Sequence, residues 1–385
     1  PRFSSHACFL ASVLLITILI TIFTTALFSQ EVKQDPEQEE LQTVLTPAEL
    51  IKEGVDLHDE GEYEEAIDRY NEALEQDSTL IEAIYEMSLS YLALEDFENA
   101  LQYSTQVIES ENENLSPGAY AVKGEALTGM EKDDEAIRLL YEGLEVNGDE
   151  FLLHFNLALI FFKKGDLDNT LLHIKKAIDL EKSQSGAFLL NAYAMNDNGM
   201  WVQSILSFQM FLLLEPDSKR SKNAFAEMLQ IMQITEPEEP IERSFIQQQM
   251  LRNSNIDTTN TKELPPLTTQ NGLNRQEVYD VITQTIDSLK ATTKDSEEEL
   301  NEFTVFKSVN MEMMKNLEKQ SKGVKEGILW TFYIPFFSCI AHSDYYDTFT
   351  RYISVSYYPE SFRWWEENPD AAFNFAVWFE EGDNT

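Results

Sequence analysis

Positive charge is scarce in this sequence. Against 68 aspartates and glutamates stand only 28 lysines and arginines, a formal net charge of −40. A surface of that sign repels phosphate backbones and anionic headgroups, so nucleic acid is excluded as an expected partner. A basic polypeptide suits the charge, and so does the plain reading that it keeps a long surface in solution. Cysteine is nearly absent: Cys8 lies in an apolar N-terminal segment and Cys339 is the other. A chain that loses that segment has nothing to pair with Cys339, and no disulfide framework is expected. Histidine is limited to five, and no His-Glu-x-x-His, Gly-x-Ser-x-Gly or phosphate-cradling glycine loop occurs. Cys339 and His342 stand three apart with neither an orienting acid nor two further ligands, and read as a buried cysteine near a surface histidine. No catalysis, cofactor or metal is expected.

Long apolar runs are also few. One lies between Cys8 and Phe28, free of charge and preceded by the single cation Arg2. It gives way abruptly to Ser29-Gln30-Glu31. Basic start, apolar centre and small exit residue are the parts of a secretory signal over 1–29, with Ser29 before the cut. The run is also long enough to act as an uncleaved anchor. On either reading the rest of the chain is exported. A periplasm is the expected location, a secretory lumen fits the same features, and the membrane is met only through this segment if it stays uncleaved. Residues 30–46 are an acidic spacer. The second apolar run, Ile328–Ile340, is short and holds Pro335, which suits a buried helix rather than a bilayer span.

What is present is a period. Small residues recur at Gly54, Ser88, Gly124, Ala158 and Ala192, and again at Ala66, Ala100, Ala136, Thr170 and Ser204. Both series step by 34, 36, 34 and 34. Bulky residues at short turns, Tyr63, Phe97, Leu167 and Trp201, keep the same register, with Asp133 the polar exception. Two helices approach closely only where a side chain is small, so each unit carries one on both sides of its crossing. Gly61, Gly165 and Gly199 mark turns where a helix ends in a left-handed residue. Asn196-Asp197-Asn198-Gly199 falls on such a turn and lacks the alternating acids of a calcium loop. Leu115-Ser116 is the two-residue insertion before the third unit, with Ser116 expected as N-cap and Pro117 as first helical residue. Gly143, inside a helix, is expected to cost about 1 kcal/mol against alanine.

A period of 34 with these residue types over 47–218 resembles the tetratricopeptide-repeat (TPR) family, in which each unit is two antiparallel helices. The resemblance implies an all-α fold: a TPR superhelix of five helix pairs plus a capping helix at Ser218–Ile234, together spanning 47–234. It implies further that the first helices line a concave face that holds another polypeptide. The inward positions are Tyr85, Leu89 and Leu92 in the second unit and Phe155, Leu159 and Phe162 in the fourth. The fifth offers Leu189, Leu190, Tyr193 and Asn196. The first offers Ile51, Val55 and His58, and the third Ala121, Glu125 and Thr128. Family members that clamp a C-terminal carboxylate need bases here, and this sequence offers Lys52 beside Glu82 and Glu86. A partner with an apolar segment is implied instead, or burial of the face by the chain's own C-terminal part.

Beyond the array, 235–272 is proline-marked and polar and reads as a linker. Residues 273–385 are expected to form a small, aromatic-rich helical domain. Its first helix carries Val278, Ile282, Ile286 and Leu289. Its second is expected to start at Ser296 and to carry Leu300, Phe303, Phe306, Val309 and Met313. The reading is an exported scaffold or adaptor. Its rivals are an enzyme with its site in the C-terminal domain, and a structural subunit of an envelope assembly.

Overall fold

The computed structural model describes residues 45–235, 272–293, 300–323 and 326–381. The expected export segment, nearly all of the acidic spacer and the core of the linker lie outside the described residues. No β-strand occurs among the described residues, and the helices come in pairs. The chain divides into two compact units, one ending at Glu181 and one beginning at Lys182.

The first unit holds four antiparallel pairs: α1 (Pro47–Glu60) with α2 (Tyr63–Gln76), α3 (Ile81–Ala93) with α4 (Phe97–Glu109), α5 (Ser116–Gly129) with α6 (Asp133–Asn147), and α7 (Phe151–Lys163) with α8 (Leu167–Leu180). The array opens on a capping box, in which the Thr46 hydroxyl accepts from the Glu49 amide while Glu49 accepts from the Thr46 amide. Asp96 and Asp166 cap α4 and α8 by accepting from the amides of Asn99 and Asn169, each at 3.2 Å. The small residues sit where the helices cross. Ala66, Ala100, Ala136 and Thr170 are fully buried, as are Ser88 and Ala158. Gly54 lies against the Tyr70 ring, and a Cβ on Gly124 would stand 2.9 Å from Leu140 Cδ2. Gly143 has the same reason, since a Cβ there would stand 2.9 Å from the ring of Tyr120. Its conformational cost is offset by a close approach that no other residue allows.

The left-handed turn position also keeps the register. It is occupied by Gly61, Glu95, Glu131, Gly165 and Gly199, with φ of 89°, 59°, 63°, 75° and 71°. Two glutamates thus take a conformation that favours glycine. The insertion before α5 departs from expectation. Ser116 is the first helical residue and Pro117 the second, Leu115 stands at the cap, and no side chain caps the helix. Asn112 turns the chain instead, its Oδ1 accepting from the amides of Asn114 and Leu115. Asp133, the polar exception, has a partner 30 residues on. Its carboxylate pairs with Lys163 at 2.8 Å, the two side chains 18% and 10% exposed.

The second unit begins with the fifth pair, α9 (Ser185–Asp197) and α10 (Trp201–Leu214), followed by α11 (Lys219–Ile231). Then come α12 (Arg275–Thr293) and α13 (Glu302–Gln320), a π-helical turn Leu329–Tyr333 running into α14 (Ile334–His342), and the short helices α15 (Tyr346–Tyr352), α16 (Pro359–Glu367) and α17 (Pro369–Glu381). Ser296, the expected start of α13, lies outside the described residues. The helix begins at Glu302, because Asn301 supplies the cap by accepting from the Thr304 amide at 3.0 Å. α10 is buried on every side from Trp201 to Leu213. A helix apolar all round belongs at the centre of a core. Ser204 and Ala192 mark the α9–α10 crossing, where the Ser204 hydroxyl donates to Ala192 O at 2.8 Å. Phe225, Leu229 and Met232 of the capping segment are fully buried, as expected of that stripe. Its outer surface is covered rather than polar, with Phe225 ringed by Phe306, Tyr357 and Tyr358.

Candidate functional site

In the first unit the candidate binding face belongs to the first helices α1, α3, α5 and α7. Tyr85, Leu89 and Leu92 on α3 are half-buried. They rest against Ala100, Val122 and Ala126, and the Tyr85 hydroxyl end lies over Gly118 of α5, where a Cβ would collide with it. Phe155, Leu159 and Phe162 on α7 are half-buried too, and Phe155 stacks on Phe151 with ring centroids 5.5 Å apart. These six side chains therefore keep part of their apolar surface in solvent while their inner sides are packed.

The fifth pair is different. Leu189 and Leu190 are 7% and 3% exposed, inside the core of the second unit. Tyr193 is half-buried, edge-on to Phe208 at 5.3 Å, and Asn196 is exposed. The cover comes from the C-terminal helices. Tyr333 Oη lies 3.2 Å from both Asn191 Nδ2 and Ser207 Oγ. Asn191 also donates to Ser207 Oγ at 2.9 Å, and Ser207 donates to Phe188 O at 2.9 Å. Gln209 donates to Asn310 Oδ1 at 2.8 Å. Arg275, itself buried, donates to the carbonyl of Gly199 at the fifth turn. Leu189 and Leu190 are accordingly buried packing residues, in a pair whose second helix, α10, is buried from Trp201 to Leu213.

Acids dominate the electrostatics of the first-helix face. Burial pushes the Glu86 carboxyl up, and the neighbouring Glu82 and Asp59 add to it. Burial alone pushes Glu125 up, although its side chain is open to solvent. Lys52 pairs with Asp56 at 2.8 Å. His58 holds α1 to α3 through Nδ1 to Ser90 Oγ at 2.8 Å, and burial lowers its pKa.

The sequence reading missed one constellation. His154 of α7 and His173 of α8 meet through their Nδ1 atoms at 2.9 Å, 2% and 4% exposed. His154 Nε2 lies 3.1 Å from Asp149 Oδ1, and His173 Nε2 lies 2.9 Å from Tyr141 Oη. Phe161 stacks on His173 at 5.6 Å. The available signal was two of the chain's five histidines standing at inward positions of one helix pair. All four of their ring nitrogens have partners within the fold, so the cluster reads as a packed network. His342, paired in sequence with Cys339, is bound to Ser338 O at 2.8 Å and faces Glu318 at 3.5 Å. Among the described residues no three of His, Cys, Asp and Glu gather as a metal-binding set, and no helix is long and apolar enough to cross a membrane.

Two family models match, one described as TPR repeat over residues 54–95 and one as tetratricopeptide repeat over 81–114. A TPR repeat-containing protein of Methanocaldococcus jannaschii is 24% identical over 171 residues, which make up 43% of this chain and 30% of that relative. The chain thus spans well under half the length of the curated relative it matches. Among solved structures, a thermophilic TPR protein of Thermus thermophilus, TTC0263, has 19% identity and a TM-score of 0.43, and covers 49% of this chain and 100% of its own. YrrB, described as a TPR protein with an unusual peptide-binding site, has 20% identity and a TM-score of 0.31, over 44% of this chain and 86% of its own.

Proposed function

The chain is a tetratricopeptide-repeat protein, and from that premise we propose that it is an exported, non-enzymatic scaffold whose first-helix face holds a partner polypeptide through an apolar segment. One observation carries the reading. Tyr85, Leu89 and Leu92 on α3 match Phe155, Leu159 and Phe162 on α7 in register, and all six are left half-exposed. Aromatic and leucine side chains arrayed at steps of four and three suit an amphipathic helix or an extended strand. Such side chains gain most when their remaining surface leaves water, at about 25 cal/mol per Å². Export is inferred from the N-terminal apolar segment, with a periplasm as the compartment.

The test is a crosslinking capture from the source organism's envelope fraction, comparing the natural chain with a Phe155→Asp/Leu159→Asp variant. Circular dichroism establishes that the variant is folded. A protein held by the natural chain and lost from the variant supports the reading, and identical captures from both overturn it.

A second reading has its own support in the second unit. There the fifth pair is already covered by Tyr333 and Asn310, as a structural subunit that fills part of its own face requires. On that reading the second unit serves as a closed body, and binding is confined to the four pairs before Glu181.

A further inference from the structure

The candidate face is not uniformly apolar, and its exception lies at its centre. Aligning α3, α5 and α7 by the repeat sets Tyr85, Ala121 and Phe155 in one row, Leu89, Glu125 and Leu159 in the next, and Leu92, Thr128 and Phe162 in the third. α5 thus contributes small side chains to the outer rows and a carboxylate to the middle one, between two leucines. Glu125 makes no hydrogen bond or ion pair among the described residues, and burial raises its pKa although the side chain is open to solvent. Its exposed side chain holds the middle row of the face without a partner, open to a ligand laid across the helices.

The lysines at the ends of α7 and on α1 are committed elsewhere. Lys163 pairs with Asp133, Lys164 with Asp134 at 3.0 Å and Lys52 with Asp56. Lys123 stands two residues from Glu125, which on a helix puts it on another side of α5. Glu86 and Glu82 on α3 extend the negative sign along the face. A purely apolar ligand laid over Glu125 would strand that charge in a poorly solvated place, whereas a ligand cation would satisfy it.

We propose, resting on the reading of this face as a polypeptide-binding surface, that its ligand carries one lysine or arginine between large apolar side chains, the base pairing with Glu125 while the flanking side chains lie against Tyr85 and Leu89 on one side and Phe155 and Leu159 on the other. The carboxylate then acts as a selector. It rejects uninterrupted apolar segments and fixes the register of those it accepts.

The experiment selects short peptides from a randomised display library on the full chain and on a Glu125→Leu variant, which continues the leucine row and breaks no bond. Synthetic versions of the selected peptides are then titrated on both chains and on Phe155→Asp/Leu159→Asp. The natural chain should enrich peptides with a base flanked by Leu, Phe, Tyr or Trp, and added salt should weaken them. Glu125→Leu should bind them about tenfold more weakly and enrich uninterrupted apolar peptides instead, the scale of one charge-assisted contact. Equal sequence preference and equal affinity in the two chains would overturn the proposal while leaving the face as a binding surface. Selected peptides indifferent to Phe155→Asp/Leu159→Asp would remove the face itself, and the proposal with it.

Discussion

Acidification should loosen the first unit through its histidine pair. With both rings neutral, the geometry admits one set of hydrogen positions: Tyr141 donates to His173 Nε2, His173 Nδ1–H to His154 Nδ1, and His154 Nε2–H to Asp149. A proton added to His173 must enter at Nε2, facing an oxygen that was donating to it. Burial, with His154 and Lys176 nearby, accordingly holds the His173 pKa down at about 4. The folded value is depressed below the unfolded one of 6.5, so between the two the unfolded chain binds a proton that the folded chain refuses. The stability this group contributes is full above pH 6.5 and is lost as pH falls toward 4. At 1.36 kcal/mol per pKa unit the loss reaches about 3 kcal/mol, a large part of a typical domain's stability.

The assay is urea unfolding from pH 7 to pH 4, comparing the natural chain with His173→Gln. All five tryptophans lie beyond Lys182, so fluorescence reports on the second unit alone. Hydrogen exchange of α6–α8 reads the first. The difference between the two proteins should change by about 1.4 kcal/mol per pH unit between pH 6 and pH 4.5, a slope of one proton. Parallel curves across that window would refute the account, whatever their absolute height. The carboxylates that titrate near its acid end are common to both proteins and cancel.

Three further outcomes follow from packing. Glu95→Gly and Glu131→Gly each relieve a left-handed residue at a turn where the repeat elsewhere uses glycine, and should raise stability by about 0.5–1 kcal/mol in thermal melts. Lys163→Met leaves Asp133 without its cation and should cost about 1–3 kcal/mol, and adding Asp133→Leu should restore most of it in the double-variant melt. Tyr333→Phe removes the hydroxyl shared by Asn191 and Ser207 and should destabilise the second unit by about 1–2 kcal/mol, read by tryptophan fluorescence in denaturant.

The parts of this fold legible in the sequence are those imposed by contact distance. Gly54, Gly124 and the buried alanines had to be small because a neighbouring helix passes there, and a one-dimensional period is enough to find them. The turn glutamates Glu95 and Glu131 were legible by the same register, yet their side chains gave no hint of a left-handed backbone. Asp133 read as an exception because its reason, Lys163, stands a whole repeat away, and repeat geometry had to bring them together. The same holds for His154 and His173. The covering of Leu189 and Leu190 was hidden by treating the fifth pair like the others. The signal was in α10, where Val202, Ile205, Leu206, Phe208, Phe211 and Leu212 leave no side free of large apolar residues. Such a helix requires cover on two flanks, and one neighbouring helix pair supplies only one.

That burial of α10 decides where the molecule can be cut. A fragment ended after Ile234, at the close of the repeats, would keep α10 and lose Tyr333, Asn310 and the ring of aromatics around Phe225. It would show solvent a bare apolar flank together with the orphaned amide of Gln209, while Asn191 keeps its bond to Ser207, and such a fragment should aggregate or swap partners. A cut between Glu181 and Lys182 leaves α10 with the C-terminal helices that cover it, so the severable piece is four pairs long, and the fifth pair travels with the remainder.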